Sequence, residues 1–126
     1  MDSDVIRKMY VDGNSRKITA LGDDRQNNHF YILKDGSASA MGFFNEKKCN
    51  IERVDKSYAY GIKPRNAEQA FALHAIANPD VKLVTLSGVA GTGKTLLALA
   101  GALEQRRDFK QIYLARPIVP LSNKDI

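Results

Sequence analysis

The chain has 126 residues, room for one domain of ordinary size or a small module joined to part of a larger one. With 44% hydrophobic and 26% charged residues it is too apolar for a disordered chain, and no run approaches the roughly 18 apolar residues of a membrane span. The net charge of +5 is uneven: residues 1–57 hold ten Lys or Arg against nine Asp or Glu, whereas residues 58–126 hold nine against five.

The charged opening MDSDVIRKMY lacks the apolar stretch of a signal peptide. Cys49 is the only cysteine, which excludes an intramolecular disulfide and a cysteine-rich zinc site and makes the reducing cytoplasm the expected compartment. The positive excess in the second half suits phosphate-bearing partners, but lysines and arginines solvating helix faces give the same count.

In residues 1–57 the turn signals Asp12-Gly13-Asn14, Gly22-Asp23-Asp24, Gln26-Asn27-Asn28 and Asp35-Gly36 lie close together, a spacing that suits strands rather than helices. Residues 29–34, Asp35-Gly36 and residues 37–44 read as a β-hairpin. Residues 48–54 add a third strand, and Ile18, Ala20 and Leu21 suggest another. The expectation is a small β-rich module or linker over residues 1–57. Phe30, Tyr31, Phe43 and Phe44 flank the hairpin as core or as a base-stacking cluster, and Cys49 reads as a small buried residue.

After Tyr58 the pattern changes. Residues 67–77 predict an alanine-rich helix with Ala70, Phe71, Leu73, Ile76 and Ala77 as its apolar face, Asn66 as its cap and Asn78-Pro79 as its stop. Residues 81–87 predict a buried strand of a parallel sheet.

Then comes Gly88-Val89-Ala90-Gly91-Thr92-Gly93-Lys94-Thr95, which fits the phosphate-loop pattern between a strand and a helix that begins near Lys94. Dense negative charge must be held with little side-chain bulk. Gly88 and Gly93 let backbone N–H groups turn inward around the β-phosphate. Lys94 brings an ammonium to the β- and γ-phosphates, and the hydroxyl of Thr95 suits Mg2+, a hard cation. Leu96 continues into the helix, whose positive end adds to the site. The competing reading is a glycine-rich turn ahead of a buried helix.

Residues 110–115 predict a second parallel strand, completing a right-handed crossover. The expected fold is therefore α/β, a P-loop NTPase β-α-β start with an incomplete parallel sheet, preceded by the β-rich module. Arg116 stands at the carboxyl end of that strand, either as a phosphate contact or as a solvated arginine before Pro117. No acidic strand end to orient magnesium follows, so the chain is expected to be a fragment with little or no turnover of its own.

Three groups of residues carry a family resemblance: Tyr60-Gly61-Ile62-Lys63-Pro64-Arg65-Asn66-Ala67-Glu68-Gln69, residues 81–95, and Leu114-Ala115-Arg116-Pro117. They resemble the start of a PhoH-like ATPase domain over roughly residues 58–126. The resemblance implies binding of ATP and Mg2+. It further implies hydrolysis coupled to remodelling of single-stranded RNA in the complete protein, a helicase-like core, and assembly as a homo-oligomeric ring. Some such proteins carry a PIN ribonuclease domain ahead of the ATPase; residues 1–57 show no acidic constellation for one, so a nuclease would precede Met1. Gln69 resembles the glutamine that reads the adenine edge in helicases, yet Asn66-Ala67-Glu68-Gln69 also fits a capping box. Arg116 resembles a helicase position at the nucleic-acid backbone or the nucleotide rim. A small-molecule phosphotransferase and a non-catalytic nucleotide-gated interaction module are the alternative functions.

Overall fold

The computed structural model describes residues 3–117. The last nine residues of the second predicted segment, 118–126, lie outside the described residues.

The chain opens on a helix, α1 (Ser3–Asp12), followed by a short strand β1 (Asn14–Ser15) and a 3-10 turn, Ile18–Leu21. Both corrections have a physical cause. Val5, Ile6 and Met9 recur at the i, i+1, i+4 spacing of one helical face, and all three are buried. The first turn signal, Asp12-Gly13-Asn14, begins only at the last residue of this helix. Ile18, Ala20 and Leu21 pack against the same cluster, so their apolar character reflects burial in a 3-10 turn, not strand pairing.

The hairpin forms as the sequence predicts, with β2 (Phe30–Asp35) antiparallel to β3 (Ala38–Asn45) around a two-residue turn at Gly36 and Ser37. The turn sits one residue beyond the Asp-Gly pair, and Gly36 has the positive φ of 59° that such tight connections require at their first central residue. The strand β4 (Asn50–Arg53) pairs with β3, and β1 with β4, giving an antiparallel sheet in the order β1-β4-β3-β2.

The sheet is covered on both faces. Ala40 and Phe44 of β3 alternate with Met41 and Phe43, so the two sets face opposite ways. Ala40, Phe44, Leu33 and Ile51 pack under Val5, Ile6 and Met9 of α1. Gly42 lies beneath that helix, where an added Cβ would stand 2.8 Å from Ile51 Cγ2 and 3.2 Å from Met9 Cε. On the other face Phe43 and Val54 pack with Ala70, joined by Phe30, Met41 and Phe71.

Helix α2 (Ala67–Ala77) follows the expected bounds. Asn66 caps it, with Oδ1 accepting from the Gln69 backbone N–H at 2.9 Å. Ala70, Leu73 and Ala75 are buried, Phe71 and Ile76 are half-buried, and Ala77 is exposed. Helix α3 (Lys94–Glu104) packs across α2 through Leu73, Leu97 and Ala100. The close approach is at Gly101, where a Cβ would fall 2.6 Å from Ile76 Cγ2.

The predicted parallel pairing is not formed. Residues 81–87 and 110–115 run as unpaired stretches, and the sheet among the described residues is antiparallel and belongs to the first half of the chain. A strand is stable only beside a partner that satisfies its N–H and C=O groups and covers its side chains. Leu83, Tyr113 and Leu114 are instead 80%, 87% and 74% exposed, so these stretches have the composition of buried strands without neighbours to bury them. The fold class is α/β, with its helix after the glycine loop where expected and its sheet of the opposite sense.

Candidate phosphate-binding site

The glycine loop runs directly into α3. Gly93 stands at the N-cap with φ 83°, Gly91 has the same φ, and Gly88 has φ 153°. An L-residue in the left-handed region brings Cβ against the following carbonyl at a cost of about 1–2 kcal/mol. Gly91, which sits at a variable position of the motif, is therefore held to glycine by conformation alone, since an added Cβ there meets nothing within 4 Å.

Lys94 closes the loop on itself. Its Nζ donates to the carbonyls of Gly88 and Val89, both at 2.8 Å, and to Thr92 Oγ1 at 3.3 Å. Thr92 Oγ1 in turn donates to the Val89 carbonyl at 2.9 Å. The cation thus sits at the centre of the loop. The first bonded amide of α3 is Leu97 N–H, donating to the Gly93 carbonyl at 2.9 Å, so the N–H groups of Lys94, Thr95 and Leu96 precede the helix's own ladder. No side chain caps this end. Unsatisfied donors, the positive end of the helix dipole and an ammonium converge here, the donor set that an anion of high charge density needs. Thr95 lies exposed in the first turn of α3, and Val89, Ala90 and Leu96 are exposed around it.

Gln69 connects α2 to this loop. Its Oε1 accepts from the Arg65 backbone N–H at 2.8 Å, and its Nε2 donates to the Thr92 carbonyl at 3.3 Å. The capping-box reading is thereby modified: the amide reaches back one residue beyond Asn66 and forward to the loop. Two cavities flank the Gln69–Thr92 contact. One, of about 460 Å3, is bordered by Asn66, Ser87, Gly88 and Lys94; the other, of about 400 Å3, by Gly61, Lys63, Arg65, Gly91 and Leu96. Lys63 and Arg65 are basic neighbours of the loop that motif spacing did not single out. Arg116 is exposed in the unpaired stretch after residue 110 and lines neither cavity.

The remaining titratable candidates are structural. His74 packs against the rings of Phe30 and Phe43, with centroids at 5.8 and 5.2 Å, and burial lowers its pKa below the ordinary 6.5 against the opposing pull of Glu52 and Asp55. Phe43 and Phe44 are buried, which makes the hairpin aromatics core and not a stacking surface. Cys49 is exposed, not buried: it occupies a turn with φ 50°, and its Sγ donates to the Glu46 carbonyl at 3.2 Å. Among the described residues no group of three or more His, Cys, Asp or Glu side chains converges at metal-binding distance.

Comparison with known proteins places the chain in a family. Protein PhoH2 of Bacillus subtilis is 45% identical over 107 residues, covering 79% of this chain and 24% of the relative. Protein PhoH2 of Mycolicibacterium smegmatis is 36% identical over 98 residues, covering 75% and 22%, and that of Thermobispora bispora is 34% identical over 92 residues, covering 70% and 21%. The chain therefore spans less than a quarter of the length of these curated relatives. No solved structure matches the chain. The family model described as PhoH-like protein matches residues 61–126, the half that contains the glycine loop, α2 and α3, and the chain belongs to the PhoH-like family.

Proposed function

We propose that residues 58–126 begin an ATPase domain that binds Mg2+ and ATP at the loop of Gly88, Val89, Ala90, Gly91, Thr92, Gly93, Lys94, Thr95 and Leu96. Residues 1–57 are then a separate module packed against it, and the complete protein couples ATP hydrolysis to remodelling of single-stranded RNA in the cytoplasm as a homo-oligomer. The observation that carries this reading is the Lys94 ammonium at the centre of a glycine loop on the open end of α3.

The donor set fits the nucleotide. The loop amides and Lys94 supply cationic and N–H donors for phosphate oxygens, and Thr95 supplies a hard hydroxyl ligand for magnesium. Magnesium, when bound, neutralises charge on the β- and γ-phosphates. Lys94 exchanges the carbonyls of Gly88 and Val89 for phosphate oxygens, a favourable exchange because the anionic acceptor adds Coulomb attraction to bonds that the ammonium already makes. Gln69 lies where the loop meets the cavity beside Arg65, and reading the adenine edge requires it to release the Arg65 N–H and the Thr92 carbonyl. Arg116 acts outside both cavities, on the nucleic-acid side.

The test is ATP hydrolysis by the full-length natural polypeptide with and without single-stranded RNA, with Lys94→Ala as control. RNA stimulation that disappears in Lys94→Ala supports the reading. Lysine-dependent turnover indifferent to RNA, or none at all, contradicts the coupling and favours a phosphotransferase or a nucleotide-gated interaction module.

A further inference from the structure

Two aromatic rings open to solvent lie at the junction between the sheet and α2. Tyr58 and Tyr60 are 64% and 51% exposed and flank the buried Ala59. Ala59 and Ile62 exchange two backbone hydrogen bonds of 2.9 Å, so Tyr60 and Gly61 are the central residues of a two-residue turn, with φ of 48° and 80°. Asn, Asp or Gly normally takes the first of these positions, because a bulky residue with positive φ is sterically disfavoured. Tyr60 is held there from α3. Glu104 Oε2 accepts from its backbone N–H at 2.6 Å, and the Arg106 guanidinium lies 5.3 Å from its ring centroid. The Lys63 ammonium stands 5.9 Å from the ring centroid of Tyr58.

Tyr58 also borders a cleft of about 300 Å3 between the sheet junction and the two helices. Ala59, Ala70, Leu73 and Gly101 give it an apolar lining, while Ser57 and His74 offer polar atoms at its edge. That combination matches a nucleobase, which has apolar faces and a hydrogen-bonding perimeter. The two carboxylates that line the cleft are already engaged, Asp55 with Arg53 at 2.9 Å and Glu104 with the Tyr60 N–H. Lys56, Lys63, Arg106 and Arg107 are exposed and have no ion-pair partner among the described residues.

We propose that this surface is a stacking site for single-stranded nucleic acid. Tyr58 and Tyr60 carry bases on their rings, the cleft beside Tyr58 takes one base, and Lys63 and Arg106, the cations beside those rings, take phosphates. Exposed aromatics interleaved with unpaired cations are what a single strand requires, because its base faces are free and its backbone is densely charged; a duplex hides those faces. The proposal rests on the reading that the complete protein acts on RNA and says where the strand lies. It also links the strand to the nucleotide: α3 begins at Lys94 in the phosphate loop and ends at Glu104 beneath Tyr60, so one rigid element carries both contacts.

The experiment is fluorescence anisotropy of a labelled oligouridylate of about a dozen nucleotides titrated with the full-length polypeptide over a range of salt. Tyr58→Ala and Tyr60→Ala are each expected to weaken binding about tenfold, while Tyr58→Phe and Tyr60→Phe, which keep the stacking face, stay within about twofold. Arg106→Ala lowers the slope of log affinity against log salt by about one. ATP affinity of all five variants stays at the wild-type value, which separates a lost contact from a lost fold. Wild-type binding with alanine variants that bind equally well overturns the proposal, as do alanine variants that lose ATP and RNA together. A wild-type protein that binds no single strand fails at the earlier reading instead, and takes this one with it.

Discussion

Gln69→Ala separates two uses of one amide. In the structure both amide atoms are engaged with backbone, Oε1 with Arg65 N–H at 2.8 Å and Nε2 with the Thr92 carbonyl at 3.3 Å. A neutral hydrogen bond contributes about 0.5–1.5 kcal/mol net, and these are exposed, so the lower half of that range applies. Loss of the Thr92 brace therefore costs about 0.5–1 kcal/mol in loop order, a roughly two- to fivefold loss of affinity shared by ATP, GTP and inorganic triphosphate. Adenine recognition exchanges existing partners for new ones, so it adds only a further difference of about 0.5–1.5 kcal/mol, felt by ATP alone. Titration calorimetry with the three ligands and both proteins measures the two components. The expected result is a modest ATP preference over GTP, about tenfold at most, that collapses in Gln69→Ala on top of the shared loss. An unchanged ATP-to-GTP ratio refutes adenine reading and leaves the amide as a cap and brace. Equal affinities of wild type and variant for all three ligands refute both uses.

Three further outcomes concern the scaffold. Gly42→Ala places a Cβ 2.8 Å from Ile51 Cγ2 of β4 and 3.2 Å from Met9 Cε of α1, and is expected to destabilise the fold by about 1–3 kcal/mol in urea unfolding; a midpoint within error of wild type contradicts the close packing of Ile51 and Met9 over Gly42. Gly101→Ala drives a Cβ to 2.6 Å from Ile76 Cγ2, with a similar expected loss that Ile76→Ala in the same chain relieves; strictly additive losses argue against that contact. His74 has a lowered folded pKa, so between that value and 6.5 the unfolded chain binds more protons and stability falls as pH falls through this window. Urea midpoints at pH 7.5 and 5.5 are expected to differ more for wild type than for His74→Phe; equal differences mean that burial of His74 does not govern the effect.

The hairpin, α2 and the glycine loop were legible because each is specified locally. A tight-turn pair between alternating strands, an asparagine cap with a proline stop, and a glycine pattern leading into a helix all act over a few residues. The helix α1 was missed because its apolar face is only Val5, Ile6 and Met9, a short stripe beside strong turn signals. Residues 81–87 and 110–115 have strand composition, but parallel pairing is decided by neighbours distant in the chain, and propensity alone does not bring them together. The reach of Gln69 to Thr92 spans 23 residues, and only the packing of α2 on α3 brings the two together. Tyr58 carries no motif, and Tyr60 only opens the segment that resembles the PhoH-like family. Their positive-φ turn and the cations over their rings appear only in three dimensions.

The most direct test of the central claim is the affinity of Mg·ATP for the wild-type protein and for Lys94→Ala, measured by calorimetry on the full-length polypeptide. Two charge-assisted bonds to phosphate are worth about 1.5–3 kcal/mol each, less the two carbonyl bonds that Lys94 gives up. The wild type is expected to bind Mg·ATP measurably and Lys94→Ala to bind it at least about tenfold more weakly, with unfolding behaviour preserved. Equal affinity in both proteins, or no binding in either, contradicts the assignment of this loop as a nucleotide site.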